Sequence, residues 1–392
     1  PYDQNAHAEF FDAEWMFGVT DGFDVVIGNP PYGAEMADSA ISRLDKKFAK
    51  YKSATKNSAI YFTYLSDELL TTNGINTFIV PKSICYSMGW NKCAGFVIEE
   101  LTRLVDIGKA FENVKLEQVV FVRPKASRVK SFVNGLFEDN FIREFGAVSK
   151  SIFATYKVLL AGQTEEEIKI IQLLLGRFKN TFGEFVSIER GLNWQSKVAT
   201  HPGKTPVYRG AQLDKYVLNE ATDFVSLGSF KRDEYAYQLK PKILNQLAIA
   251  HVQNPYPHFY LQAAFDEDGS KLVFETIACT FIQANNVNIR FVLGVNNSKL
   301  FAWLLYKFIY SNAIRSTRYD SEYVTRIPVP QLEQVSQQPI INLVDRILAA
   351  KRADADADTR AWEREIDELV YQLYGLTEDE IKIVEGRQES VP

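Results

Sequence analysis

The sequence predicts an α/β protein: a sheet-and-helix region over residues 1–150, a connecting helix in 151–180, an α+β module over 181–330 and a helical segment over 331–392. Three observations carry this. Apolar β-branched runs alternate with helical stripes through the first 150 residues, the pattern of a mainly parallel sheet wrapped in helices. From Thr181 onward, short mixed segments, many tyrosines and Gly, Pro and Asn turns replace that alternation. Near the end, residues 339–352 and 358–374 have the periodicity of amphipathic helices.

The elements follow in order. Phe23-Asp24-Val25-Val26-Ile27-Gly28 is a strand. Residues 58–72 place Ile60, Tyr61, Tyr64, Leu65 and Leu69 on one helical face, and Asn73-Gly74 ends the helix. A strand over 75–80 stops at Pro81, a helix covers about 91–101, and strands follow at 104–107, 118–123 and 129–135. Thr164 with Glu167 three residues on is a capping box opening a helix over 164–178. The apolar run from Phe301 to Tyr310, interrupted by Lys307, reads as a core helix. Arg-Ala-Asp-Ala-Asp-Ala-Asp at 352–358 reads as a solvated linker.

Composition narrows the function. The 392 residues are 46% hydrophobic and 24% charged, enough for two or three globular domains. No run of 18 apolar residues occurs, which argues against a membrane span. Cys85, Cys93 and Cys279 have neither metal-ligand spacing nor a disulfide framework, which suits a reducing cytosol and no metal site. His7, His201, His251 and His258 are scattered, with no nucleophile constellation around them. The net charge of −5 hides an asymmetry. Residues 185–320 hold 15 Lys and Arg against 11 Asp and Glu, whereas residues 331–392 hold 7 against 14. A basic central module is compatible with DNA binding without demanding it.

The most specific signal is Asn29-Pro30-Pro31-Tyr32, directly after the first strand. By ordinary residue usage, the tetrapeptide arises by chance in roughly one chain per thousand of this length. Neither proline can donate to a ladder, so the strand runs into a rigid turn, at the carboxyl end where α/β sheets bind ligands. An exocyclic amine on adenine is a poor nucleophile because its lone pair is delocalised into the ring. Two acceptors, the Asn29 oxygen and a proline-stiffened carbonyl, can hold its two N–H bonds so that the lone pair localises. Tyr32 can stack on a base that has left the duplex, a contact worth about 1–3 kcal/mol.

On these residues the chain resembles the gamma-class adenine-specific DNA methyltransferases, the TaqI-like group that includes fused type IIG restriction–modification enzymes. Residues 23–33 are similar to the family's motif IV, residues 58–72 to motif V and residues 74–81 to motif VI. Val105-Asp106-Ile107-Gly108-Lys109-Ala110-Phe111 resembles motif VIII, which makes Phe111 a second aromatic against the flipped base. Residues 206–213, 240–244, 293–300 and 327–330 resemble, in order, landmarks of the TaqI-like target-recognition domain. The resemblance implies that residues 1–150 are the carboxyl-terminal half of a Rossmann-like methyltransferase sheet and residues 181–330 the recognition domain. It also implies S-adenosylmethionine as cofactor, double-stranded DNA as partner, a fused or partner endonuclease, and a cytoplasmic bacterial or archaeal setting. The DNA-binding candidates are Arg209 first, then Arg190, Lys197, Trp194, Lys231, Arg232, Arg315 and Arg318, with Asn193 and Gln195 beside them.

The departure from the family lies at the front. No two of the 21 glycines are two positions apart, so the Phe-x-Gly-x-Gly donor loop is absent. Glu9 and Asp12 are the remaining candidates for the donor's adenine side. The expectation is therefore a carboxyl-terminal portion of a larger enzyme that binds the donor poorly by itself. Two other functions compete: a protein glutamine methyltransferase, which uses the same tetrapeptide on an amide nitrogen, and a non-catalytic DNA-binding specificity module.

Overall fold

The computed structural model describes residues 12–32, 36–51, 55–111, 116–195, 198–199, 204–331 and 333–387, and divides the chain into two units at Gln163/Thr164. The first unit begins with a short helix, α1 (Ala13–Phe17), and continues as β1 (Phe23–Gly28), α2 (Asp38–Lys47), α3 (Ser58–Glu68), β2 (Leu70–Pro81), α4 (Asn91–Glu100), β3 (Arg103–Gly108), β4 (Gln118–Pro124), β5 (Ser131–Glu138), β6 (Phe141–Ser149) and α5 (Ser151–Tyr156). The six strands form one sheet in the order β1-β2-β4-β3-β5-β6.

The sheet is mixed, which corrects the expectation of a mainly parallel one. Strands β1 and β2 are parallel, as are β3 and β5, but β4 runs against both of its neighbours and β6 against β5. The connection lengths explain this. Nine residues, 109–117, join β3 to β4, too few for the crossover of a dozen or more that a parallel return requires. Strands β5 and β6 are joined by Asp139-Asn140, both at positive φ (52° and 65°), a two-residue hairpin turn.

α3 ends earlier than its stripe suggests. Its amino end is capped by the Asn57 side chain, which accepts from Ala59 N–H at 3.0 Å. β2 already starts at Leu70, because 70–74 are drawn into an irregular ladder in which Phe23 pairs with Leu70 and Val25 with Ile75. A Cβ on Gly74 would lie 2.9 Å from the Phe23 carbonyl, so only glycine permits this approach. Behind the sheet, Tyr64 and Phe96 meet edge-on at 5.1 Å, and the buried Arg123 guanidinium lies 4.1 Å from the Phe96 ring centroid while pairing with Asp67 and Glu100. β1 is an edge strand whose Val25 and Ile27 are exposed, by 55% and 78%.

The second unit opens with α6 (Glu165–Arg177), whose capping box between Thr164 and Glu167 is present as the sequence predicts. One antiparallel sheet orders Ala263–Asp266, Lys242–Gln246, Ile277–Ile282 and Val186–Arg190. A smaller one orders Leu272–Val273, Thr205–Tyr208, Asp223–Val225 and Val198–Ala199. The fully buried Lys242 pairs with the equally buried Asp266 and donates to the Gln238 carbonyl. Leu300, Phe301, Trp303 and Phe308 are buried, on a helix that turns π-helical over Leu304–Ile309, in keeping with the core reading. Helices Ile289–Asn296, Gln334–Ala353 and Arg360–Tyr374 pack together. Gly294 sits where a Cβ would come within 2.6 Å of the Ile340 side chain. Asp354, Asp356 and Asp358 lie in the turn between helices Gln334–Ala353 and Arg360–Tyr374.

Candidate functional site

The Asn-Pro-Pro-Tyr turn leaves the carboxyl end of β1, beside β2, with Gly28 paired to Phe78. Pro30 is buried, and Asn29 and Pro31 are exposed. Two contacts fix the turn. The Ser58 hydroxyl, at the first residue of α3, donates to the Pro31 carbonyl at 2.6 Å. The Tyr32 hydroxyl donates to the Ile79 carbonyl of β2 at 3.0 Å, which sets the ring's position. Among the described residues the Asn29 side chain makes no hydrogen bond, and neither does the Pro30 carbonyl. Pro31's oxygen is thus occupied, and the two open acceptors are those of Asn29 and Pro30. Ser58 and Ile79 lie inside the stretches that resemble motifs V and VI, but sequence reasoning did not single either of them out.

Burial pushes the Tyr32 phenol up from its ordinary value near 10 to about 12. Folding therefore favours the protonated phenol. This stabilisation is fully present below pH 10 and is lost as pH rises through 12. Comparing the tyrosinate absorbance titration of the protein with that of Tyr32→Phe is expected to reveal one phenol ionising above pH 11. A difference centred at 10 would contradict the half-buried, hydrogen-bonded placement.

The carboxyl ends of β2 and β3 lie on the same edge of the sheet. There the buried Lys82 ammonium donates to Asp106 at 2.5 Å, and Asp106 also accepts from Gly108 N–H at 3.0 Å. Ala110 N–H donates to the Gln118 side chain at 2.9 Å, so the segment leading to Phe111 is pinned, and Phe111 itself is 39% exposed. Asp12 is the N-cap of α1, its carboxylate accepting from Trp15 N–H at 2.9 Å. Glu9 and Lys197 lie outside the described residues.

In the second unit the structure gathers three of the predicted basic residues. Arg190, Arg209 and Arg318, drawn from distant parts of the sequence, line one open recess of 610 Å³ with Gln246, Glu275 and Thr276. Arg209 is clamped. It pairs with Asp223 at 2.8 Å, donates to the Gln195 side chain at 2.9 Å and lies 3.7 Å from the Phe274 ring centroid. Its guanidinium holds the Asp223 carboxyl below the usual carboxylate range. Arg190 pairs with Asp320. Arg318 and Arg315 are exposed, as are Lys231 and Arg232 outside the recess. A second recess of 640 Å³, which includes Glu189, Lys240 and Tyr237, has no such excess of cations.

Trp194 is corrected. It was expected at a DNA-facing loop, but it is fully buried in a cluster with Val207, Val225, Leu272 and Phe274. Its Nε1 donates to the Val273 carbonyl at 2.9 Å, and its ring meets Phe230 at 4.5 Å. Its neighbours Asn193 and Gln195 are exposed. Gln246, Glu275 and Thr276 were missed, since nothing in their local sequence marks them.

An α/β unit with an Asn-Pro-Pro-Tyr turn at a strand's carboxyl end thus precedes a unit with a cationic recess. Residues 2–111 match the family described as Eco57I restriction-modification methylase. The type IIL restriction-modification enzyme MmeI, solved in complex with DNA, is similar with a TM-score of 0.60 at 10% identity, over 92% of this chain and 56% of its own. At that identity the likeness is one of fold. The type IIG restriction endonuclease BpuSI gives a TM-score of 0.36 at 14% identity, over 90% of this chain and 54% of its own. The ATP-dependent type ISP enzyme LlaBIII, bound to DNA, gives 0.45 at 8%, over 83% and 29%. The chain therefore spans about half the length of MmeI and BpuSI. No curated protein matches it. Among the described residues, no helix is long and apolar enough to cross a membrane, and no group of three or more His, Cys, Asp or Glu could hold a metal ion.

Proposed function

We propose that this chain is part of a site-specific DNA adenine methyltransferase of a restriction–modification or phage-defence system. It would contribute the amine-holding turn and the unit that reads the duplex. The observation that carries the proposal is the pair of open acceptors at Asn29 and Pro30 beside an aromatic ring held by Ile79. An adenine amino group placed there donates one N–H to each oxygen, and its lone pair is left facing away from the ring plane. Tyr32 stacks on the extruded base, with Phe111 as the second aromatic. This offsets much of the few kcal/mol that extrusion costs.

The reading requires S-adenosylmethionine, which supplies the methyl group when bound. The described residues of this chain do not fit it. Asp12 is spent on capping α1, and no two glycines stand at the spacing of a donor loop. An endonuclease, fused or separate, is the partner such a system uses.

DNA binding tests the second half of the reading. Titration of this chain with duplex at several salt concentrations is expected to give a log–log slope of several units, about 0.9 per phosphate contact. Arg315→Ala, Lys231→Ala and Arg232→Ala should each shallow the slope. Duplex affinity that does not change with salt would contradict it.

A further inference from the structure

We infer that Glu275 and Arg318 together read one C·G base pair through the major groove, so that the recognition sequence contains at least one such pair. The inference rests on the DNA-binding reading and names the chemistry of its target.

The backbone sets the two side chains in a row. Leu247 N–H donates to the Thr276 carbonyl at 3.0 Å, Tyr319 N–H donates to the Leu247 carbonyl at 2.7 Å, and Ala248 bridges Arg318. Glu275, Gln246 and Arg318 therefore stand at or next to three adjacent backbone segments. At the usual strand spacing of about 4.8 Å, the outer two segments are about 10 Å apart. The major groove is about 12 Å wide. Both outer residues are anchored through their backbones. Glu275 N–H donates to the Leu192 carbonyl at 3.0 Å, and Arg318 N–H donates to the Tyr310 hydroxyl at 2.9 Å.

Charge pairing separates the recess residues by task. Arg209 and Arg190 are committed to Asp223 and Asp320. Arg318 and Glu275 are exposed and have no side-chain partner among the described residues, though they line the same recess. An unpaired carboxylate repels phosphate, so in a surface that binds DNA it is a cost unless it meets a donor. In the major groove the donor that singles out cytosine is its N4 amine, and the matching guanine presents O6 and N7 to a guanidinium. An acid beside a free arginine fits that pair; the reversed pair puts guanine acceptors before the acid, and an A·T pair, though its N6 amine could meet the acid, gives the guanidinium a single thymine O4 and a methyl group in place of O6 and N7.

The test uses the full chain and a randomised duplex library, selected at moderate salt. Binding is then measured to the enriched site and its single-pair variants. The wild-type motif is expected to contain a C·G pair at which substitution costs about ten- to a hundredfold in affinity. Glu275→Gln and Arg318→Ala should each flatten that preference at the same pair, and Glu275→Gln should bind unrelated duplex no more weakly than wild type. Lys231→Ala, outside the recess, should leave the motif intact. If both recess variants select the wild-type motif, or if Arg318→Ala only weakens all duplexes alike, the pairing is overturned while DNA binding stands. If the wild-type chain shows no salt-sensitive duplex affinity, the functional reading falls and this inference with it.

Discussion

Asn29→Ala is expected to lower methyl transfer by about a hundred- to a thousandfold in the enzyme that contains this chain, the usual loss when one preorganised polar partner of a transition state is removed. Duplex affinity should stay within about twofold, because Asn29 is exposed and, among the described residues, makes no hydrogen bond that shapes the turn. The turn is held by Ser58 on Pro31 and by Tyr32 on Ile79, contacts the variant keeps. Asn29→Asp is the sharper companion, since it retains an acceptor at nearly the same place. Single-turnover transfer of labelled methyl groups checks both. Undiminished turnover by Asn29→Ala would remove the turn from the chemistry.

The second large effect is on stability. Trp194→Ala is expected to cost about 3–5 kcal/mol, the range for deleting a buried large aromatic. It empties the centre of a cluster formed by Val207, Val225, Leu272 and Phe274, and it leaves the Val273 carbonyl without its indole donor. Trp194→Phe should cost less, since it fills most of the space and loses mainly the hydrogen bond. Urea unfolding of the full chain reads both as a lowered midpoint. A change under 1 kcal/mol with a clear loss of duplex affinity would instead restore Trp194 to the binding surface.

Trp194 also shows where the sequence stops being informative. Its neighbours Asn193 and Gln195 are polar and exposed, which gives the segment the look of a loop, and the residues that bury it come from 207, 225, 272 and 274. Arg209 is similar. It stands inside a string resembling a recognition domain, yet Asp223 and Phe274 decide how much of its charge is free. Local signals fared better. The Thr164–Glu167 cap and the strand before Asn29 depend on neighbours a few residues away, and both are present. Strand direction was illegible because side chains alternate identically in parallel and antiparallel pairs. The short 109–117 connection was the available clue. Glu275 and Gln246 carry no signature at all. Only the register that sets 276 against 247, and 248 against 318, brings them together.

An asparagine oxygen and a proline carbonyl are proposed to receive the amino group of a flipped adenine. Single-molecule sequencing of DNA from cells expressing the enzyme that contains this chain tests this most directly, because it gives the modified atom and its context together. N6-methyladenine at one defined sequence, absent in the Asn29→Ala strain, is the predicted result. Methylated cytosine, or unmodified DNA alongside a methylated glutamine in a cellular protein, would contradict it.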